Sequence, residues 1–140
     1  MSTGSGFAAF ESNCIVTNFH VIEGAKEIKI LSNDNNEYYT ADIIIFSKRD
    51  DLAIIETNGN LKPLDLGDGN NIKIKDKVTT IGSPMGEKNI VSEGIISNVD
   101  DINLIRITAP ISHGSSGGVL LDKNYKVIGI TNAGNDKAKT

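Results

Sequence analysis

The residues best suited to covalent chemistry lie in a glycine-rich loop, Gly114-Ser115-Ser116-Gly117-Gly118, near the end of the 140-residue chain. Ile111 precedes this loop and Val119-Leu120-Leu121 follows it directly, so a flexible linker between polar segments is a poor interpretation. A tight loop that bends around a small anionic group fits better, because glycine permits close backbone approach and positive φ angles. The main-chain N–H groups of Gly114 and Ser116 are then candidate donors to an oxyanion, each worth about 3–4 kcal/mol of barrier.

A serine hydroxyl is a weak nucleophile, so it needs a base, and His20 is the candidate. His20 follows the apolar run 15–19, where the chain leaves a predicted strand, and taken alone it also fits a hydrogen-bonded core histidine. Asp50 and Asp51 precede a second apolar run, 52–55, and such pairs usually form a solvated turn. The alternative is that Asp51, next to the strand, is buried and orients the His20 imidazole, whereas Asp50 is exposed.

Short strands separated by polar turns are the predicted framework for these residues. Apolar and β-branched runs predict strands at 15–17, 26–30, 38–46, 52–56, 77–81, 90–99, 102–108, 118–121 and 126–131. No window has a sustained 3.6-residue apolar period, so no long helix is expected. The pattern predicts one all-β domain, a sandwich or barrel, over residues 1–140. Residues 58–71, rich in Gly and Asn, are the predicted linker between two halves.

Composition argues against several classes of function. The net charge is −4, the lysines are scattered and aromatic residues make up 5% of the chain, so we expect no nucleic-acid partner. No apolar stretch approaches the ~18 residues of a membrane span, and no basic start leads into an apolar signal region. The single cysteine, Cys14, suits a reducing compartment, so the cytoplasm is favoured. We expect no cofactor and no metal site, because the two histidines have no third-ligand pattern beside them.

Seven segments, taken in order, resemble motifs of the HtrA (DegP-like) bacterial branch of the trypsin-fold serine proteases. Each motif is weak alone, but together they follow the order of that branch and cover nearly the whole chain. They are Gly4-Ser5-Gly6-Phe7, the histidine segment Ile15–Ile22, the aspartate segment Asp51–Ile55, Ile81–Gly86, Ser92–Ser97, the nucleophile loop Gly114–Gly118 and Val127–Ile130.

The resemblance implies two packed antiparallel β-barrels, the first at about 1–58 and the second at about 72–140, with the active site in the cleft between them. It implies a serine endopeptidase that hydrolyses peptide bonds of a polypeptide substrate through an acyl-enzyme. Ser116 would be the nucleophile, His20 the base and Asp51 the orienting acid. The main-chain N–H groups of Gly114 and Ser116 would form the oxyanion hole.

The resemblance also implies which residues bind substrate. By the family's loop layout, the walls of the primary pocket are Pro110, Ile111 and Ser112 on one side and Thr131, Asn132 and Ala133 on the other. Neither wall carries a carboxylate, so we expect no preference for Lys or Arg and a lean towards small or medium apolar side chains. His113 stands where the family often has Pro, and we expect an exposed loop histidine, with a substrate contact as the alternative.

The chain also departs from the family pattern. Ser115 stands where the family usually has Asn, and both termini are shorter than usual. The strand that opens the first barrel and the strand that closes the second are not visible, and an unclosed barrel leaves exposed edges. Three interpretations are open: short loops with minimal barrels, a piece of a longer protein with further domains, or a homo-oligomer in which a partner chain completes the edge. The alternative function is an inactive or conditionally active binding or sensor module that needs a partner or a missing segment to complete the barrel.

Overall fold

The computed structural model describes residues 4–32, 36–40, 42–83, 89–100, 104–111, 116–132 and 137–139. Over these residues the chain forms short strands and almost no helix, which confirms the all-β expectation. The elements are β1 (Gly6–Ala8), β2 (Cys14–Thr17), the single-turn helix α1 (Phe19–Ile22), β3 (Ile28–Leu31), β4 (Glu37–Thr40), β5 (Asp42–Ser47), β6 (Leu52–Glu56), a 3-10 turn (Gly69–Asn71), β7 (Lys77–Gly82), β8 (Ile90–Val99), β9 (Leu104–Ile107), β10 (Val119–Leu121), β11 (Val127–Asn132) and β12 (Lys137–Lys139).

The second half of the chain forms a closed antiparallel barrel. The strand order around it is β10-β11-β12-β9-β8-β7. Its interior is filled by buried branched side chains, among them Val78, Ile96, Ile105, Leu120 and Ile128. Each such side chain contributes about 1.5–3 kcal/mol on burial, so this barrel is a firm support for the loops at its rim.

The expectation that the second barrel lacks its closing strand is wrong. Residues Lys137–Lys139 form β12, which pairs antiparallel with β11 on one side and β9 on the other. A Lys-Ala-Lys segment has no alternating apolar pattern, which is why the sequence did not indicate a strand there. Strand pairing uses main-chain groups that every such residue carries, so this short segment closes the barrel without that pattern.

The first half consists, in the part of the chain that the structure describes, of a four-stranded antiparallel sheet and a hairpin. The sheet order is β1-β2-β6-β5, and the hairpin is β3-β4. Alternate residues of the two central strands are buried, Ile15 and Thr17 on β2 and Ala53 and Ile55 on β6, so one face of the sheet forms a core. Closure of this half into a complete barrel stays a prediction.

The segment between the two halves, residues 58–71, makes main-chain hydrogen bonds to both of them. The Leu64 N–H donates to the Ala8 carbonyl at 2.9 Å, and the Gly67 N–H donates to the Val127 carbonyl at 2.7 Å. The Val127 N–H returns a bond to the Asp65 carbonyl at 2.8 Å. The segment therefore ties β1 to β11, although its predicted role as the boundary between two sub-barrels stays a prediction. Among the described residues, no helix is long and apolar enough to cross a membrane.

Candidate active site

His20 is carried by the single turn α1, which begins where β2 has ended. Phe19 and Ile22, three positions apart, are both buried and anchor the turn against the sheet. The Phe19 ring also stacks on Phe46 of β5, with the ring centroids 4.7 Å apart. His20 lies on the opposite face, and its side chain is 51% exposed. The imidazole is therefore held on a packed element but open to a reactant.

Asp51 occupies the residue before β6 in a left-handed conformation, with a φ of 55°. Aspartate tolerates this region better than most residues do. The Asp51 carbonyl accepts hydrogen bonds from the Phe19 N–H at 3.1 Å and from Asn18 Nδ2 at 2.9 Å. The start of β6 is thus bonded to the start of α1, which brings the aspartate and the histidine together although they are 31 positions apart in the chain.

The Asp51 carboxylate accepts three hydrogen bonds from two sides of the site. Oδ2 lies 2.6 Å from His20 Nδ1, and Oδ1 accepts from the His20 main-chain N–H at 2.8 Å. Asn132 Nδ2, at the end of β11, also donates to Oδ2 at 3.2 Å. Because an ionised carboxylate only accepts, Nδ1 carries the hydrogen in this pair. That tautomer leaves Nε2 of His20 as the ring nitrogen able to take a proton from a nucleophile.

Asp50, the neighbouring carboxylate, contacts Ser47 and Arg49. Its side chain is 45% exposed and lies 3.5 Å from Arg49 Nε. The Asp51 side chain, by comparison, is 22% exposed. The two adjacent carboxylates therefore have different environments, and only Asp51 is bonded to the imidazole in the described structure.

Ser116 is buried, and its main chain is tied to both halves of the fold. Its carbonyl accepts from the Ser5 N–H at 2.8 Å, and the next N–H, that of Gly117, donates to the Thr131 carbonyl at 2.9 Å. Gly117 has a φ of 92°, and a Cβ atom there would lie 1.9 Å from the Ser5 carbonyl oxygen. Only glycine fits this position, which explains why a glycine follows Ser116 directly.

The other predicted site residues are placed differently or lie outside the description. Residues Ser112, His113, Gly114, Ser115 and Ala133 lie outside the described residues, so the oxyanion hole and the role of His113 stay predictions. Pro110 is exposed, whereas Ile111 packs against the core of the second barrel. The Thr131 side chain is buried and donates to the Gly118 carbonyl at 3.3 Å.

Three contacts of this site were not predicted from the sequence. Asn132 was predicted as a pocket wall, but its amide also contacts Asp51, 81 positions earlier, which no local pattern could indicate. Asn18 had a usable signal, because an Asn before a helical turn is a typical cap position; here its side chain bonds the Asp51 carbonyl instead. The third contact is that of the Ser5 N–H with the Ser116 carbonyl, and the Gly-Ser-Gly pattern around Ser5 does not indicate it.

Among the described residues, no group that could hold a metal ion accompanies His20, Asp51 and Ser116, and an apolar groove lies apart from them. No group of three His, Cys, Asp or Glu side chains that could hold a metal ion occurs in the described ranges. An apolar groove of about 440 Å³ lies between the outer face of the first sheet, at Phe7 and Val16, and strand β11. The described residues that line this groove do not include His20, Asp51 or Ser116. This groove is therefore separate from the candidate site, which is defined by its hydrogen bonds.

Comparison with known proteins gives consistent results. The model of a trypsin-like peptidase domain matches residues 4–130. A probable periplasmic serine endoprotease, DegP-like, from Halomonas elongata is 37% identical over 137 residues, which cover 92% of this chain and 29% of that protein. Among solved structures, Deg5 superposes with a TM-score of 0.85 at 25% identity over 99% of this chain and 78% of its own. The HtrA-type protease AlgW with a decapeptide superposes with a TM-score of 0.85 at 30% identity. The match covers 93% of this chain and 42% of the AlgW chain.

The names of these relatives overturn the expectation of a cytoplasmic location. Several curated relatives are named periplasmic, so that expectation is wrong. A lone cysteine is a poor guide to compartment, because it cannot form an internal disulfide in any of them.

The resemblance to the HtrA branch is confirmed by these matches, and so is the trypsin-like fold. The chain spans 29% of the length of the Halomonas elongata relative, so the comparison concerns one part of a longer type of protein. The matched region extends over most of the chain, from the β1 strand into β11. The chain therefore belongs to the trypsin-like peptidase domain family.

Proposed function

We propose that this chain is the catalytic domain of a serine endopeptidase. The observation that carries the proposal is the 2.6 Å contact between His20 Nδ1 and Asp51 Oδ2, reinforced by the bond from the His20 main-chain N–H to Oδ1. The main-chain bond fixes the carboxylate, and the ring bond then holds the imidazole in one orientation and one tautomer, which is what a general base needs. Membership of the trypsin-like peptidase domain family supports the same conclusion.

In this proposal Ser116 Oγ attacks the carbonyl carbon of the scissile peptide, and its proton passes to Nε2 of His20. The main-chain N–H groups of Gly114 and Ser116 bind the oxyanion of the tetrahedral intermediate. His20 then returns the proton to the leaving amine, and the acyl-enzyme remains on Ser116. His20 then deprotonates a water molecule, which attacks the ester; the acyl–oxygen bond breaks, and His20 passes the proton to Ser116 Oγ. Asp51 orients the imidazole throughout.

The proposed substrate is an extended segment of polypeptide. No Asp or Glu occurs among residues 110–112 or 131–133, the walls of the primary pocket, so nothing there would pair with Lys or Arg. We propose cleavage after small or medium apolar residues. Profiling against a mixed peptide library tests this, and predominant cleavage after Arg would contradict it.

Turnover of a fluorogenic unfolded protein substrate tests the proposed function. The wild type should hydrolyse it, and Ser116→Ala should remove all activity above background while leaving the unfolding midpoint close to that of wild type. Ser115→Ala is the matched control, since it removes the adjacent hydroxyl, and it should retain activity. Full activity in Ser116→Ala, or equal loss in both variants, would refute the proposal.

The proposed site of action is the periplasm. The support is that several curated relatives carry the name periplasmic serine endoprotease. Fractionation of cells that express the full-length parent protein tests it, with the expected result that the protein is released with the periplasmic contents. Retention with the cytoplasmic contents would contradict it.

A further inference from the structure

Ser5 lies between the proposed nucleophile and the strand that leads to the proposed base. It is 9% exposed and directly precedes β1. Its N–H donates to the Ser116 carbonyl at 2.8 Å, and its own carbonyl accepts from Thr17 Oγ1 at 2.7 Å. Thr17 is the last residue of β2, three positions before His20. One residue therefore contacts both the loop of Ser116 and the end of β2, the strand that precedes the turn carrying His20.

The side chain of Ser5 makes a third connection. Its Oγ accepts from the Ser83 main-chain N–H at 2.8 Å, where β7 has just ended. Strand β7 pairs with β10, which begins two residues after Gly117. The hydroxyl therefore anchors the first half of the fold to the strand that supports the nucleophile loop.

Ser5 and Gly117 of the nucleophile loop are packed so closely that neither can move without the other. A Cβ atom at Gly117 would lie 1.9 Å from the Ser5 carbonyl oxygen and 2.5 Å from Thr17 Oγ1. The Gly117 Cα therefore packs directly on the Ser5 peptide. A shift of Ser5 would move Ser116 relative to His20, and proton transfer between these two is sensitive to such displacements.

We propose that Ser5 is a positioning residue that fixes the placement of Ser116 relative to His20 through its hydroxyl. The proposal rests on the proposed function, because it assigns Ser116 and His20 their catalytic roles. Loss of the hydroxyl leaves the Ser83 N–H without this acceptor and removes one of the hydrogen bonds that hold Ser5 in place. The effect falls on the chemical step rather than on substrate binding, because Ser5 contacts the main chain behind Ser116.

Steady-state kinetics of Ser5→Ala on a peptide substrate test this role. We expect kcat to fall roughly tenfold, the factor that corresponds to one neutral hydrogen bond, with KM within about twofold of wild type. Ser5→Thr restores a hydroxyl and should recover most of kcat. Thr17→Val removes the donor to the Ser5 carbonyl and should lower kcat in the same direction, which keeps the test open if Ser5→Ala does not fold.

Thr57→Val is the matched control. Like Ser5, Thr57 is buried, and its hydroxyl accepts a hydrogen bond from a main-chain N–H, that of Gly59 at 3.3 Å. Thr57 follows the last residue of β6, whereas Asp51 precedes the first, so Thr57 is remote from the site. Its kcat should equal that of wild type. An unchanged kcat in folded Ser5→Ala, a loss confined to KM, or an equal loss in Thr57→Val would overturn the role of Ser5. Activity retained in Ser116→Ala would instead overturn the proposed function itself.

Discussion

Replacing Asp51 by Asn should abolish most of the activity through the tautomer of His20. Asparagine keeps the shape of the side chain and tolerates the φ of 55° at this position, so the backbone is preserved. Its side chain has one oxygen and one NH₂ group where the carboxylate had two acceptors. The His20 main-chain N–H, 2.8 Å from Oδ1, can only donate, so the new oxygen must take that position. The NH₂ group then occupies the Oδ2 position and faces His20 Nδ1.

That orientation forces Nδ1 to accept a hydrogen bond and moves the ring hydrogen to Nε2. With Nε2 protonated, the imidazole can no longer take the proton of Ser116. A wrong tautomer of this kind costs about 10⁴ in kcat, or about 5.5 kcal/mol of barrier. The Asn132 amide meets the same NH₂ group in place of an acceptor, which adds a local loss of about 1–2 kcal/mol of stability.

The assay pairs kinetics on a peptide substrate with the ¹⁵N chemical shifts of the His20 ring, which report the tautomer directly. Asp50→Asn is the matched control, because Asp50 is the adjacent carboxylate and contacts Arg49 rather than His20. It should keep wild-type activity. An Asp51→Asn variant within about tenfold of wild type, or one whose Nδ1 still carries the hydrogen, would refute this reasoning.

Two further predictions concern stability and thiol reactivity. Gly117→Ala should lower the free energy of unfolding by about 3 kcal/mol in urea denaturation, because its Cβ meets the Ser5 carbonyl oxygen at positive φ. Gly24→Ala, also at positive φ but with open space around it, should lose only about 1 kcal/mol, and equal losses would contradict the steric argument. Burial first, and then the negative charges of two neighbouring glutamates, raise the pKa of the Cys14 thiol. The rate of its alkylation by iodoacetamide at neutral pH should be lower than that of a free cysteine peptide, and this rate should still increase at pH values above the usual thiol pKa. A rate equal to that of the peptide would contradict this prediction.

The sequence was most informative where burial imposes a pattern. Strand β6 has the predicted bounds, since buried Ala53 and Ile55 alternate with less buried neighbours in a short apolar run. Strand β8 also has the predicted bounds, although Ile96 is the one buried residue of its ten. Strand β12 was missed because main-chain pairing alone defines it. The predicted strand 38–46 appears as β4 and β5, with residue 41 between them outside the description.

Some residues of the candidate site are indicated by local sequence, whereas others depend on contacts between distant segments. His20 and Asp51 could be named from sequence because each lies beside a strand with a clear apolar pattern. The contact of Asn132 with Asp51 joins two distant segments and depends on how the barrel packs against the sheet, so spacing could not predict it. The role of Gly117 is similar, because the Ser5 carbonyl that excludes a side chain there comes from the opposite end of the chain.

The most direct test of the account is the site of covalent labelling by a fluorophosphonate, which reacts with a serine activated by a neighbouring base. The folded protein is incubated with the reagent, and the adduct is mapped by peptide mass spectrometry. We expect one adduct, on Ser116, that is absent in Ser116→Ala and strongly reduced in His20→Ala. A folded wild-type protein that carries no adduct, or one that carries it on Ser115, would contradict the proposed role of Ser116.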